Sequence, residues 1–153
     1  MANTFTQLYV HFVFAVQNRL CLINEKWQED LYKYMSGIIE QQGHKLYVIN
    51  GMSDHIHILI SMSPKQAPSD LMYHLKRSSS LWINQNNLSI GKFSWQEGFG
   101  AFSLGKSQLP EKIIYIKEQQ QHHMKTSFRE EYLQFLLEND VEYDERYIFK
   151  LIE

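Results

Sequence analysis

The chain has 153 residues, of which 44% are apolar and 14% aromatic, with 3 prolines and 7 glycines. This is enough for a core in one compact domain spanning 1–153, and it excludes disorder over the whole length. The single cysteine, Cys21, excludes an internal disulfide and fits a reducing cytoplasm. The apolar run near the N-terminus lacks a basic leader and contains His11, so it reads as neither a signal peptide nor a membrane span. The net charge of −2 speaks weakly against nucleic acid, but its distribution speaks for it. Residues 65–129 carry 9 basic and 4 acidic side chains, whereas residues 130–153 carry 2 basic and 8 acidic. Binding phosphate needs only local positive charge; the same residues also serve as an ordinary solvated face.

In chain order, residues 5–16 alternate Leu8, Val10, Phe12, Phe14 and Val16 with Tyr9, His11 and Val13, the pattern of a long, well-buried strand. Residues 25–42 form a predicted helix, with Trp27, Leu31, Met35 and Ile38 at helical spacing and Gly43 as its stop. A second strand is expected over 46–50, with Asn50-Gly51 starting a turn, and a third over 54–62. Pro64 and Pro68 break the chain, and Ser69 is placed to cap a helix over 70–85. Residues 93–105 read as a bent or bulged strand interrupted by Gly98 and Gly100. Ser107 and Pro110 introduce one helix over 109–124, and Ser127 with Glu130 forms a capping box for another over 128–139. The order β-α-β-β-α-β is that of an α+β, ferredoxin-like split βαβ unit. It predicts an RRM-like antiparallel sheet with helices packed on it and an added C-terminal helix pair.

Three segments carry candidate chemistry. In DHIHILI, side chains alternate across the strand, so His55 and His57 share one face and Ile56, Ile58 and Ile60 the other. Two imidazoles so placed can converge on one metal ion, or can be buried histidines with ordinary hydrogen bonds. In IIYIKEQQQHHM, Leu109, Ile113 and Ile116 form the core stripe, while Tyr115, Gln119 and His122 follow at i, i+4 and i+7 on a neighbouring stripe. Tyr115 is there either a presented phenol or a boundary tyrosine packing by its ring. His122 and His123 read as surface or supporting residues. In WQEGFGAF, Trp95, Phe99 and Phe102 can stack on bases, but core packing around a glycine-permitted bend accounts for them better. Lys76, Arg77, Lys92 and Lys117 are candidate phosphate contacts.

Taken together these segments resemble the single-tyrosine branch of the HUH nucleases, the transposases of the insertion-sequence 200/605 group. DHIHILI is similar to that family's histidine strand, and YIKEQQQHH to its nucleophile helix, a tyrosine followed four residues later by glutamine. FSWQEGFGAFSLG is similar to its aromatic-glycine strand, and VEYDERY to its ending. The resemblance implies Tyr115 as nucleophile and His55, His57 and Gln119 as ligands of a divalent metal, Mg2+ or Mn2+. It also implies a cytoplasmic homodimer in which the tyrosine helix can dock on the partner's histidines across the short 105–107 connection. The implied substrate is single-stranded DNA with hairpin ends, cleaved to a 5′-phosphotyrosine and a free 3′-hydroxyl. An unperturbed phenol ionises near pH 10, so its proton needs help to leave, and the metal, Lys117 or Lys112 are candidates. Three rivals stand beside this reading. The same nicking chemistry can serve replication initiation or repeat processing. An RRM-like module can bind nucleic acid without catalysis if its sheet exposes aromatics. A metallohydrolase using water would not need Tyr115.

Overall fold

The computed structural model describes residues 3–20, 22–124 and 126–144, so Cys21 and the last three residues of VEYDERY lie outside the described residues. Four strands, β1 (Tyr9–Ala15), β2 (Lys45–Met52), β3 (His55–Ser61) and β4 (Gly100–Leu104), form one antiparallel sheet in the order β2-β3-β1-β4. Because β1 and β2 both run antiparallel to β3, they are parallel to each other with β3 inserted between them. Helix α1 (Gln28–Gln41) links β1 to β2, and α2 (Pro68–Gln85) links β3 to β4. Both lie over one face of the sheet. There Phe12, Phe14, Ile56, Ile58 and Ile60 are shut against Leu31, Met35 and Ile39 of α1 and Leu71, Leu75 and Ile83 of α2. Each such side chain contributes about 1.5–3 kcal/mol by leaving water.

The opposite face is covered by α3 (Leu109–Lys117), α4 (Gln119–His122) and α5 (Phe128–Glu138). Val13, Ala15 and Phe102 pack there against Phe128, Phe135 and Leu136, while Val48 and Leu59 pack against Ile116. Ser127 caps α5 by accepting from the Glu130 amide at 3.2 Å, as the sequence indicates. Among the described residues no helix is long and apolar enough to cross a membrane.

Four local expectations are corrected. The β2–β3 turn falls at Ser53 and Asp54, and Gly51 lies within the strand, paired with Ile56. Its glycine serves close approach rather than a turn, since a Cβ there would collide with the His55 carbonyl. Helix α2 begins at Pro68, whose fixed φ suits the first position, with Ala67 as N-cap in place of Ser69. The aromatic-glycine strand is split: Trp95 bridges Val16, Gly98 turns the chain at φ +88°, and pairing resumes at Gly100. Finally, the helix expected over 109–124 breaks at Glu118 into α3 and α4. The break has a visible cause. The Asn50 amide donates to the carbonyls of Ile116 and Lys117, at 2.9 and 3.1 Å, and its oxygen accepts from Gln120.

Candidate active site

Strand alternation sends His55 and His57, both fully buried, to the face under α3–α5, beside Ala15 and Val13 of β1. The Nδ1 of His55 lies 2.7 Å from an Asp54 carboxylate oxygen, and its ring stacks flat on Phe128 at 3.8 Å between centroids. His57 Nδ1 lies 2.8 Å from Nε2 of His11, a third buried histidine on β1. The α3–α4 break swings Gln119 inward, and its Oε1 comes to 3.2 Å from His55 Nε2. His123 turns its Nδ1 to the Thr126 carbonyl at 2.9 Å and its Nε2 to Gln119 Oε1 at 3.0 Å. Glu131 enters from α5: its Oε1 is 3.0 Å from His57 Nε2, 3.2 Å from His123 Nε2 and 3.8 Å from His55 Nε2. One ligand atom from each of His55, His57, His123 and Glu131 lies within 4.8 Å of all the others.

Hydrogen-bond logic shows what this cluster can hold. Asp54 and the Thr126 carbonyl are acceptors, so Nδ1 of His55 and of His123 must each donate. In the neutral rings both Nε2 atoms then present lone pairs, and they face Gln119 Oε1 and the Glu131 carboxylate, which are acceptors too. Converging lone pairs of this kind repel unless a cation or extra protons sit among them. Three imidazole nitrogens, a carboxylate and an amide oxygen form a donor set that suits a divalent transition ion, and Mn2+ better than Mg2+. The residues present therefore fit a metal.

Tyr115 reaches the same place from α3. Its hydroxyl donates to Glu131 Oε2 and lies 3.0 Å from His122 Nε2, and Lys112 Nζ sits 5.3 Å above its ring centroid. Burial, then the hydrogen bond and charge of Glu131, push the phenol well above its ordinary value. Burial pushes the His57 imidazole down to about 4 against the opposing pull of Glu131, and burial likewise lowers His11. Burial would raise the Glu131 carboxyl, but its contacts with His123 and His57, where a proton sits between the groups, and the hydroxyl of Tyr115 hold it well below the usual carboxylate range. At neutral pH the site thus contains an ionised Glu131, a neutral His57 and a protonated Tyr115.

Comparison with known proteins places the chain. Residues 4–119, from before β1 to the first residue of α4, match the family described as Transposase IS200 like. The chain belongs to that family. Among curated relatives, the ISDra2 transposase TnpA of Deinococcus radiodurans is 30% identical over 74 residues, 48% of this chain. The match covers 53% of that relative, so it spans about half of its length. Two solved structures share the fold. A candidate transposase from Deinococcus radiodurans R1 has a TM-score of 0.58 at 19% identity, covering 76% of this chain and 94% of its own. A REP-associated tyrosine transposase bound to a REP hairpin has a TM-score of 0.61 at 11% identity, covering 79% of this chain and 72% of its own.

Against this IS200-like frame, the fold brings His55, His57, Gln119 and Tyr115 together from β3, α4 and α3. It does not gather the four basic residues. Lys76 is spent on the other face, where its Nζ donates to the carbonyls of Gln96 and Gly98 and burial lowers its pKa to about 8. Arg77 and Lys92 are exposed away from the histidines, and Lys117 is exposed at the end of α3. Trp95 and Phe102 are buried in the two cores rather than open for stacking. His123 is not a surface residue: its side chain is 7% exposed and faces the cluster. Glu131 went unnoticed, although the sequence does signal it. With Phe128, Tyr132, Phe135 and Leu136 at helical spacing, Glu131 falls on the apolar stripe of α5, where an unpaired carboxylate would be costly.

Proposed function

We propose that the chain is a DNA transposase that cleaves and rejoins single-stranded DNA through a covalent bond to Tyr115. The observation that carries the reading is the convergence of the Tyr115 hydroxyl, the His55–His57 pair and Gln119 on one buried cluster, brought from three elements. His55, His57 and Gln119, extended by His123 and Glu131, would hold a divalent ion, Mn2+ or Mg2+. Bound there, such an ion withdraws charge from a phosphate and orients it for attack. Asp54 and His11 orient the two strand histidines, and Phe128 and Phe135 shield them from water. The Tyr115 oxygen attacks phosphorus as the bond to the 3′-oxygen breaks, leaving a 5′-phosphotyrosine and a free 3′-hydroxyl. The ester keeps the linkage exchangeable, so another 3′-hydroxyl can displace the tyrosine at a new junction, whereas an activated water would only hydrolyse.

The family, together with the hairpin bound by one protein of similar fold, makes hairpin-bearing single-stranded DNA the substrate to test, and a homodimer the assembly to test. Within one chain the tyrosine meets its own histidines, and a 3-10 turn over Lys106–Gln108, at the end of the connection, fits this placement. The decisive experiment incubates the protein with hairpin-bearing single-stranded DNA and Mn2+, resolves it on a denaturing gel and maps the adduct. A metal-dependent adduct on Tyr115 is expected. An adduct on another tyrosine, or cleavage without any adduct, would overturn the reading.

A further inference from the structure

Lys112 stands one helical turn before Tyr115 on α3, so the two side chains are neighbours on one side of the helix. Its Nζ lies 5.3 Å from the centroid of the Tyr115 ring and 4.9 Å from that of Phe135 on α5, and the residue is half-buried. A lysine that only covered Phe135 would lay its stem on the ring and carry its ammonium out to water. Here the ammonium itself is held over the two rings. Aromatic faces attract a cation without neutralising it, and they leave its N–H donors to an anion. Among the described residues no carboxylate forms an ion pair with it, and Glu138 and Glu131 act on it only through space. The other cations are placed differently. Lys76 is spent on the Gln96 and Gly98 carbonyls of the other face, and Arg77 and Lys92 are exposed away from the histidines. A cation drawn partly out of water without an anion of its own is costly, unless an anion arrives to meet it.

We propose that Lys112 grips the scissile phosphate, donating from Nζ to one of its non-bridging oxygens while Tyr115 attacks. This deepens the proposed function and rests on it. In the step, the phenolic oxygen bonds to phosphorus and the bond from phosphorus to the 3′-oxygen breaks. The phenolic proton passes to water, the departing 3′-oxygen takes a proton from water, and Lys112 gives up none. Its ammonium meets the charge that builds on the non-bridging oxygen, at a place half shut from water where such a contact is stronger than in bulk solvent. Before attack the same contact holds phosphorus beside the phenol. In rejoining it holds the phosphotyrosine for the incoming 3′-hydroxyl. Lys112 touches the reacting phosphate and is therefore a catalytic residue.

The test uses Lys112→Met, which keeps the apolar stem and removes the charge, and follows strand cleavage of hairpin-bearing single-stranded DNA with Mn2+. The rate should fall about 10²–10³-fold, the usual worth of one donor aimed at charge that develops in the transition state. Lys112→Arg, which keeps a cation, should stand between Lys112→Met and the wild type. Urea unfolding and Mn2+ titration of the same proteins separate misfolding and metal loss from loss of the grip. The partner of Lys112 is then identified on the DNA. The phosphate that the wild type joins to Tyr115 is replaced by a methylphosphonate, resolved into its two diastereomers, each lacking one non-bridging oxygen. On the diastereomer without the gripped oxygen, Lys112→Met and the wild type should cleave at equal rates, which no purely structural defect would produce. A second readout needs neither metal nor chemistry. In chelator, Tyr115→Phe should bind the unmodified DNA more tightly than Tyr115→Phe with Lys112→Met, and the gap should close on that diastereomer. Wild-type cleavage by Lys112→Met, or a loss that is undiminished on both diastereomers, would overturn the proposal. In each of these outcomes an adduct on Tyr115 in the wild type leaves the proposed function standing, whereas its absence in the wild type would remove that function first.

Discussion

The two faces of the sheet are made from the same strands yet obey different rules. On the face under α1 and α2, β1 and β3 contribute Phe12, Phe14, Ile56, Ile58 and Ile60, an apolar register closed by apolar helices. One residue along, the same strands contribute His11, His55 and His57, and the helices covering them bring Gln119, His123 and Glu131. The first face gains stability by removing apolar surface from water. The second buries imidazoles and a carboxylate, which costs free energy unless every group finds a partner. Here nearly every polar atom faces another, and they crowd toward one centre. The contrast teaches that the apolar face carries the stability, while the polar face gathers atoms able to hold an ion beside a phenol.

The comparison can be broken most directly at Tyr115. Tyr115→Phe should abolish the covalent DNA adduct altogether while costing about 1.5–3 kcal/mol of folding stability, since the ring packing survives while the hydroxyl's contacts with the ionised Glu131 and with His122 are lost. A denaturing gel beside a urea titration reads both. If the adduct persists, the polar face is not the reactive one.

A pair of neighbours on β3 sharpens the contrast. Ile58→Ala, on the apolar face, should cost about 2–5 kcal/mol in a urea titration and leave the Mn2+ affinity of the folded protein unchanged. His57→Ala should reduce that affinity by more than the ~10–100-fold typical of losing an outer-shell partner, as read by calorimetry. If the two variants lose metal and stability alike, the division between the faces fails.

Much of this division is legible in the sequence because a strand has a period of two. DHIHILI by itself sorts the histidines from the isoleucines, and Tyr115 stands off the Leu109–Ile113–Ile116 stripe by helical spacing alone. What the sequence hid depends on distant partners. The break at Glu118 is imposed by Asn50 on β2, so no local signal marks it. The role of His123 depends on the Thr126 carbonyl fixing its ring. Glu131 was legible in principle as a carboxylate on an apolar stripe, but its partners come from β3, α3 and the turn after α4. That Lys76 meets backbone carbonyls was likewise hidden, because a cation on a helix looks the same whatever acceptor it meets.

Acid gives the next effect. In the folded, metal-free protein His57 takes a proton only near pH 4, and His11 only well below 6.5, whereas in the unfolded chain both do so near 6.5. Between those values the unfolded state binds more protons, so stability falls as pH drops from about 6.5 toward 4, by up to about 3 kcal/mol for His57. Glu131 adds a loss of the same sign as pH falls through the ordinary carboxylate range, because its folded pKa is depressed. Urea midpoints in chelator at pH 7 and pH 4.5 should show this decline, and His11→Phe, which removes one buried imidazole, should decline less. Parallel curves would mean that the acid sensitivity arises elsewhere than on the polar face.

The smallest effect tests how the two halves of the nucleophile segment are joined. Asn50 ties β2 to the α3–α4 break through the carbonyls of Ile116 and Lys117 and through the Gln120 side chain, and the Gln120 amide also donates to the Gly51 carbonyl at 3.2 Å. Those carbonyls end α3, and without Asn50 they lose the side chain that satisfies them. Asn50→Ala should therefore cost about 1–2 kcal/mol. Its larger consequence is local, since Gln119 reaches His55 only because the chain turns at this point. Hydrogen exchange should quicken at the amides of residues 118–123 while β1 and β3 stay protected. Mn2+ affinity should weaken modestly, by less than in His57→Ala, because the histidines remain on their strand. If exchange rises equally across the sheet, Asn50 supports the whole fold and not the junction. If exchange rises locally with Mn2+ affinity untouched, Gln119 does not contribute to the ion's hold, and the donor set contracts to the three histidines and Glu131.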